Sequence, residues 1–130
     1  MYKKYALVFA VAFLLNWVWE NLHSMLYLSY KGGVITQLHL MSIEGALGDA
    51  LAILALIIIA DKFKLGSLFI IISGVVLTSS IEVWALQTGR WQYNTLMPIV
   101  PILNVGLTPF TQLGLTGFIT HKICQKVIKK

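Results

Sequence analysis

Residues 43–60 read Ile-Glu-Gly-Ala-Leu-Gly-Asp-Ala-Leu-Ala-Ile-Leu-Ala-Leu-Ile-Ile-Ile-Ala. The later part of the stretch, 51–60, carries no polar side chain. A helix of about 20 such residues crosses a hydrocarbon core of ~30 Å. Two carboxylates, Glu44 and Asp49, interrupt the earlier part. An ionised Asp in mid-bilayer costs ~2.5–3.5 kcal/mol on insertion scales. Such groups persist where partners or a task hold them, so this stretch predicts both a membrane-spanning helix and a polar site near one end of it.

The rest of the chain agrees. A soluble domain is about half apolar and about one quarter charged. These 130 residues are 58% apolar and 12% charged, with mean hydropathy +0.80. Three more apolar segments, at about 5–27, 65–86 and 108–124, flank the first. The fold class expected is all-α, a polytopic bundle of four transmembrane helices forming one domain. Residues 95–107 are too short to span and too apolar for a solvated loop, and Pro98 and Pro101 prevent a regular helix there. A re-entrant or interfacial segment before the last helix is the expected form. Thr108 then reads as an N-cap with Pro109 at the first helical position. From Pro109 to His121 such a helix is only ~20 Å long, so its amino end should lie below the membrane surface.

Basic residues orient the bundle. Lys3, Lys4, Lys62, Lys64, Lys122, Lys126, Lys129 and Lys130 fall on one side if four helices alternate, and only Lys31 and Arg90 fall on the other. That asymmetry predicts the cytoplasmic membrane with both termini cytoplasmic. Tyr27, Tyr30, Trp84, Trp91 and Tyr93 then mark the outer interface. The net charge of +5 follows from this topology and implies no nucleic acid. The expected partners are membrane lipid and a lipid-soluble small molecule, and the narrow polar interior is compatible with a homodimer. Tyr5–Val18 imitates a signal peptide but reads as a retained first helix, since no small-x-small cleavage site follows. Cys124 is the single cysteine and reads as a small residue near a helix end, with no disulfide or zinc motif. No cofactor is implied.

Four of the five carboxylates, Glu20, Glu44, Asp49 and Glu82, lie within apolar segments. At ~1.5 Å per helical residue they sit ~16–25 Å above the cytoplasmic ends, all in the outer half. Glu20, Asp49 and Glu82 are the candidate catalytic acids and bases. Asn16 and His23 share a helix face with Glu20. Glu20-x-x-His23 is also the spacing of a di-iron ligand pair, which normally occurs twice in a bundle. It occurs once here, so a Glu–His hydrogen bond fixing helix packing is the favoured reading, and Glu20, His23, Glu44, Asp49 and Glu82 form the alternative metal set. Gly45, Asp49 and Ala52 make a small-residue stripe suited to close helix contact. Glu44 reads as interfacial, near the amino end of its helix, where the dipole favours a carboxylate. His39 reads as solvated or interfacial on the outer loop. Thr108, Gln112, Thr116 and Thr120 form a polar ladder on the fourth segment. Arg90 is expected to pair with Glu82 or Glu20, or to hold a polar headgroup. Trp91 and Tyr93 read as aromatic belt or as a cover over the site. Asn16, His23, Arg90, Trp91, Tyr93 and Gln112 are thus the candidate substrate-binding residues. Four ionised carboxylates cannot gather in low dielectric uncompensated, so protons or a cation must balance them.

The series Asn16-Trp-Val-Trp-Glu20, Gly48-Asp49, Glu82, Arg90-Trp-Gln-Tyr93, Met97-Pro98 and Gly106-Leu-Thr-Pro109-Phe-Thr-Gln112 resembles a group of small bacterial four-helix integral-membrane proteins. That resemblance covers nearly the whole chain and carries no activity. Locally, Glu82-Val-Trp-Ala-Leu-Gln-Thr88-Gly89-Arg-Trp-Gln-Tyr93 is similar to a stretch in membrane carotenoid-biosynthesis proteins, the hydratases and lycopene cyclases. There a Glu precedes Thr-Gly and an aromatic-x-Tyr. The similarity implies protonation of an isoprenoid double bond, with Glu82 as the acid and Tyr93 in the pocket. The paired Pro-x-Glu-Glu motif of small lycopene cyclases is absent. Together these readings predict acid–base chemistry on, or binding of, a lipid-soluble, isoprenoid-like substrate. A proton- or cation-coupled transporter subunit and a non-catalytic membrane scaffold are the alternatives.

Overall fold

A computed structural model describes residues 1–28 and 35–130, and of 35–42 the backbone alone. Tyr30, Lys31 and the side chain of His39 therefore lie outside the described residues. The order is α1 (Tyr2–His23), a 3-10 turn (Ser24–Leu26), α2 (Ile35–Lys62), α3 (Ser67–Gln87), β1 (Ile99–Val100), β2 (Val105–Gly106) and α4 (Leu107–Ile128). Three spans, Tyr2–Leu26, Ile43–Lys62 and Ser67–Gln87, are long and apolar enough to cross a membrane. Leu14, Val18, Leu22, Leu51, Ile58, Leu68, Ile72 and Val76 point outward from them. Outward apolar faces on this scale suit a lipid environment, since a soluble bundle would bury them.

The helices alternate in direction. Lys4 Nζ at the start of α1 meets Asp61 Oδ2 at the end of α2, at 2.6 Å. Thr78 on α3 donates to the Pro109 carbonyl on α4 at 2.9 Å, and Gly74 lies against Gly114. A Cβ on Gly74 would come within 2.7 Å of the Gly114 nitrogen. The glycines are thus what lets α3 and α4 touch at backbone distance. α1 packs on α2 and α4, and α3 packs on α4 and α2. The apolar core fills the end nearest the termini, with Val8, Ala12, Ala50, Ile53, Ile57, Ala60, Ile70, Leu113 and Cys124.

Two helix ends share one turn chemistry. After α2, Lys64 N–H donates to Asp61 and Leu65 N–H to Ala60, with Lys64 left-handed at φ 54. After α3, Gly89 N–H donates to Leu86 and Arg90 N–H to Ala85, with Gly89 at φ 70. Both are Schellman ends. Gly89 suits its left-handed position sterically and turns the chain back over α3. The returning strand then pairs with the exit from α1: Leu28 N–H donates to Gln92 at 2.8 Å, Asn94 N–H to Leu26 at 2.9 Å, and Tyr27 faces Tyr93.

Three boundary expectations need correction. Residues 95–106 fold around a short antiparallel hairpin, Ile99 opposite Gly106 and Val100 opposite Val105. The helix that follows starts at Leu107 with Gly106 as N-cap, so Thr108 does not cap it. The hairpin itself supplies the first acceptor, since Leu107 N–H donates to Pro98 at 2.7 Å. α4 runs on to Ile128 and is ~33 Å long, not ~20 Å. Its amino end is nonetheless recessed, because Pro109 lies beside Thr78, ~13 Å short of the end of α3 at Gln87. Finally, α2 begins at Ile35, so Glu44 sits well inside the helix and His39 is on helical backbone. Hydropathy alone missed that extension because Thr36, Gln37, His39 and Ser42 are polar.

Candidate functional site

Two polar clusters form at the end of the bundle away from the core. Gln112 on α4 is the hub of the first. Its Nε2 lies 2.8 Å from Glu20 Oε1, 2.8 Å from Asp49 Oδ2 and 3.1 Å from Asn16 Oδ1. An amide nitrogen carries two hydrogens, so three acceptors on two other helices compete for two donated bonds. Asn16, fully buried, also donates to Ala12 O at 2.8 Å and takes the Thr116 hydroxyl at 3.2 Å. Of the ladder on α4, Thr120 alone is buried without a partner.

Glu20 turns its second oxygen to His23, whose Nε2 is 3.3 Å away. His23 Nδ1 is 3.0 Å from Thr108 Oγ1, which lies 3.4 Å from Met97 Sδ. With the Thr108 hydroxyl hydrogen on sulfur, Thr108 accepts from Nδ1–H, and Nε2 is left facing Glu20. Gly45 on α2 makes room for this carboxylate: a Cβ there would lie 3.1 Å from Glu20 Cδ.

Glu82 on α3 centres the second cluster and is 5% exposed. Its Oε2 accepts from Tyr93 at 2.5 Å, Trp91 Nε1 at 3.1 Å and Tyr27 at 3.4 Å. Its Oε1 takes no hydrogen bond from any described residue. The left-handed Gly89 turn is what brings Trp91 and Tyr93 back to this carboxylate. Burial, and then the bond to Glu82, raises the Tyr93 phenol above its ordinary value, so it stays a donor at neutral pH.

Both clusters line one cavity of about 620 Å³, with Glu20, His23, Tyr27, Glu44, Gly45, Asp49, Thr78, Ile81, Glu82, Trp84, Arg90, Trp91 and Gln112 in its wall. Glu44, Ile81, Trp84 and Arg90 are its exposed members, which places its opening on the α2–α3 side among the described residues. Sequence reasoning expected Glu20, Asp49, Glu82, His23, Arg90, Trp91 and Gln112 at the site, and all seven line this wall. Asn16 and Tyr93 do not; they stand behind Gln112 and Glu82 and fix them. Arg90 forms no ion pair within 4.0 Å among the described residues. Its guanidinium lies over the Trp84 ring at 5.6 Å instead of pairing with Glu82 or Glu20. The metal set is not assembled either: among the described residues no three His, Cys, Asp or Glu side chains are grouped to hold an ion. Glu20 pairs with His23, Asp49 faces Gln112, aromatic donors hold Glu82, and Glu44 is exposed.

Three participants carried other readings in the sequence. Tyr27 read as aromatic belt, Thr108 as a cap, and Gly45 as part of a packing stripe. Only the last carried a usable signal, a small residue one helical turn from Asp49. Comparison with protein-family models, curated proteins and solved structures finds no match to this chain, so the chemistry of the site rests on its own geometry.

Proposed function

We propose that this protein spans the cytoplasmic membrane four times, termini inside, and that its outer-half cavity binds a lipid-soluble, isoprenoid-like small molecule and acts on it by acid–base chemistry. The carrying observation is the cavity of about 620 Å³ into which three helices deliver Glu20, Asp49 and Glu82. Its size falls within the ~300–1,000 Å³ of small-molecule sites. Glu20 and His23 face each other and form the acid–base couple. Glu82, clamped through one oxygen, offers the other to the ligand. α4 serves as the fourth span: its polar residues face the bundle interior, which lowers its hydropathy without exposing them to lipid. The lysine asymmetry supports the orientation. The local similarity to carotenoid-biosynthesis proteins supports an isoprenoid-like tail.

The cavity counts against a pure scaffold, which needs none. Coupled transport is the second reading, but it requires a path to the terminal end of the bundle. There Ile53, Ile57 and Ile70 are 0–1% exposed and Val8 and Leu113 close around them. The test is extraction of protein purified in native lipid discs, followed by mass spectrometry. An apolar small molecule should co-purify near stoichiometry and be lost in a folded Glu20→Gln or Glu82→Gln protein. Only bulk lipid, in equal amount from wild type and variants, would remove the proposal.

A further inference from the structure

We infer that the ligand of this cavity carries a protonated amine: an ammonium head among the carboxylates, bonded to Glu82 Oε1, with an apolar tail leaving past Ile81 and Trp84. This rests on the small-molecule reading above and names its substrate class.

Charge comes first. Glu20, Glu44, Asp49 and Glu82 all line the wall, against His23 and Arg90. His23 Nε2 already faces Glu20, at 3.3 Å. Arg90 is exposed, stacked on Trp84 and bonded to none of the acids. Among the described residues, no cation of the wall forms an ion pair with Glu82 or Asp49. Hydrogen bonding points the same way. Glu82 is more than nine-tenths buried, and its donors among the described residues, Tyr27, Trp91 and Tyr93, all go to Oε2. Glu82 lines the cavity, so its Oε1, which no described residue bonds, is the acceptor a ligand N–H can reach. The donor side of the wall has little left to offer, since the Gln112 amide already faces three acceptors. A carboxylate head would thus meet the repulsion of four acids, with Arg90 at the exposed rim as the one cationic donor not already facing an acid among the described residues. A hydroxyl head would give one hydrogen and no charge. An ammonium group gives three hydrogens and the charge. Aromatic rings beside the acids, Trp84, Trp91 and Tyr27, further favour a cation. Ile81 and Trp84, 41% and 52% exposed, offer the tail an apolar exit.

The experiment uses the full chain in lipid nanodiscs, with tryptophan fluorescence reporting on Trp84 and Trp91. The probes are dodecylamine at pH 7, dodecanol and dodecanoate. Saturable binding of dodecylamine, at least tenfold tighter than dodecanol and with dodecanoate weakest, is expected. Glu82→Gln should cut dodecylamine affinity tenfold or more while leaving dodecanol unchanged. Arg90→Gln changes an exposed residue and keeps the test independent of folding at Glu82. It should tighten dodecylamine about two- to fivefold, the range of an exposed charge. Equal binding of the three probes, or indifference to both substitutions, overturns the ammonium assignment and leaves a lipid-soluble site standing. No saturable binding of any probe overturns both.

Discussion

Replacing Gln112 with methionine tests how the site is held. Methionine keeps the length and roughly the volume but removes every donor. Two donated bonds disappear from a set of three acceptors, Asn16, Glu20 and Asp49. Bonds to charged groups contribute ~1.5–3 kcal/mol each in soluble proteins. Interhelical bonds in membranes average ~0.6 kcal/mol, because separated helices find other partners. The structure decides between these limits. Glu20 and Asp49 line the cavity, so water can rehydrate them. Asn16 is fully buried but keeps the Thr116 hydroxyl. The loss should therefore lie between the limits, about 2–3 kcal/mol. Reversible unfolding in mixed micelles, followed by tryptophan fluorescence, measures it. A double-mutant cycle with Asn16→Leu should show coupling of about 1 kcal/mol, as residues in one network do. A Gln112→Met protein within 0.5 kcal/mol of wild type, or strict additivity with Asn16→Leu, would refute the hub.

Three further outcomes follow from other parts of the molecule. Gly74→Ala places a methyl 2.7 Å from the Gly114 nitrogen and should cost ~1–3 kcal/mol by overpacking. Gly48→Ala meets nothing within 4 Å and should be neutral or slightly stabilising in the same unfolding assay, so equal effects would contradict the α3–α4 contact. The Tyr93 phenol is raised in the folded state, so the native protein holds its proton where the unfolded chain releases it. Stability should then fall as pH rises through the unfolded value near 10, and Tyr93→Phe should flatten that fall; identical pH curves for the two proteins would be the contrary result. Asp61→Asn removes the Lys4 bridge, whose partners are 35% and 25% exposed, and should change stability by less than ~1 kcal/mol.

The sequence by itself determined the class of this protein and where its polarity lies. Apolar runs long enough to span, and carboxylates confined to one half of them, are one-dimensional facts, because they follow from residue order and the fixed rise of a helix alone. The spacing of Asn16, Glu20 and His23 put them on one face, since helical geometry is local. Helix ends were less legible. Polar Thr36–Ser42 hid the start of α2, and Thr108–Pro109 resembled a cap that the hairpin supplies instead. Only the tertiary structure decided which groups meet. It chose Gln112 to join Asn16, Glu20 and Asp49, stacked Arg90 on Trp84 in place of an ion pair, and clamped Glu82 with Tyr27 from one end of the chain and Tyr93 from another. Those pairings depend on the Gly74–Gly114 contact that sets α4 against α3, and on the left-handed turn at Gly89 that folds the chain back. A hydrogen bond is set by angstroms between helices, and residue spacing along one helix carries no information about that distance.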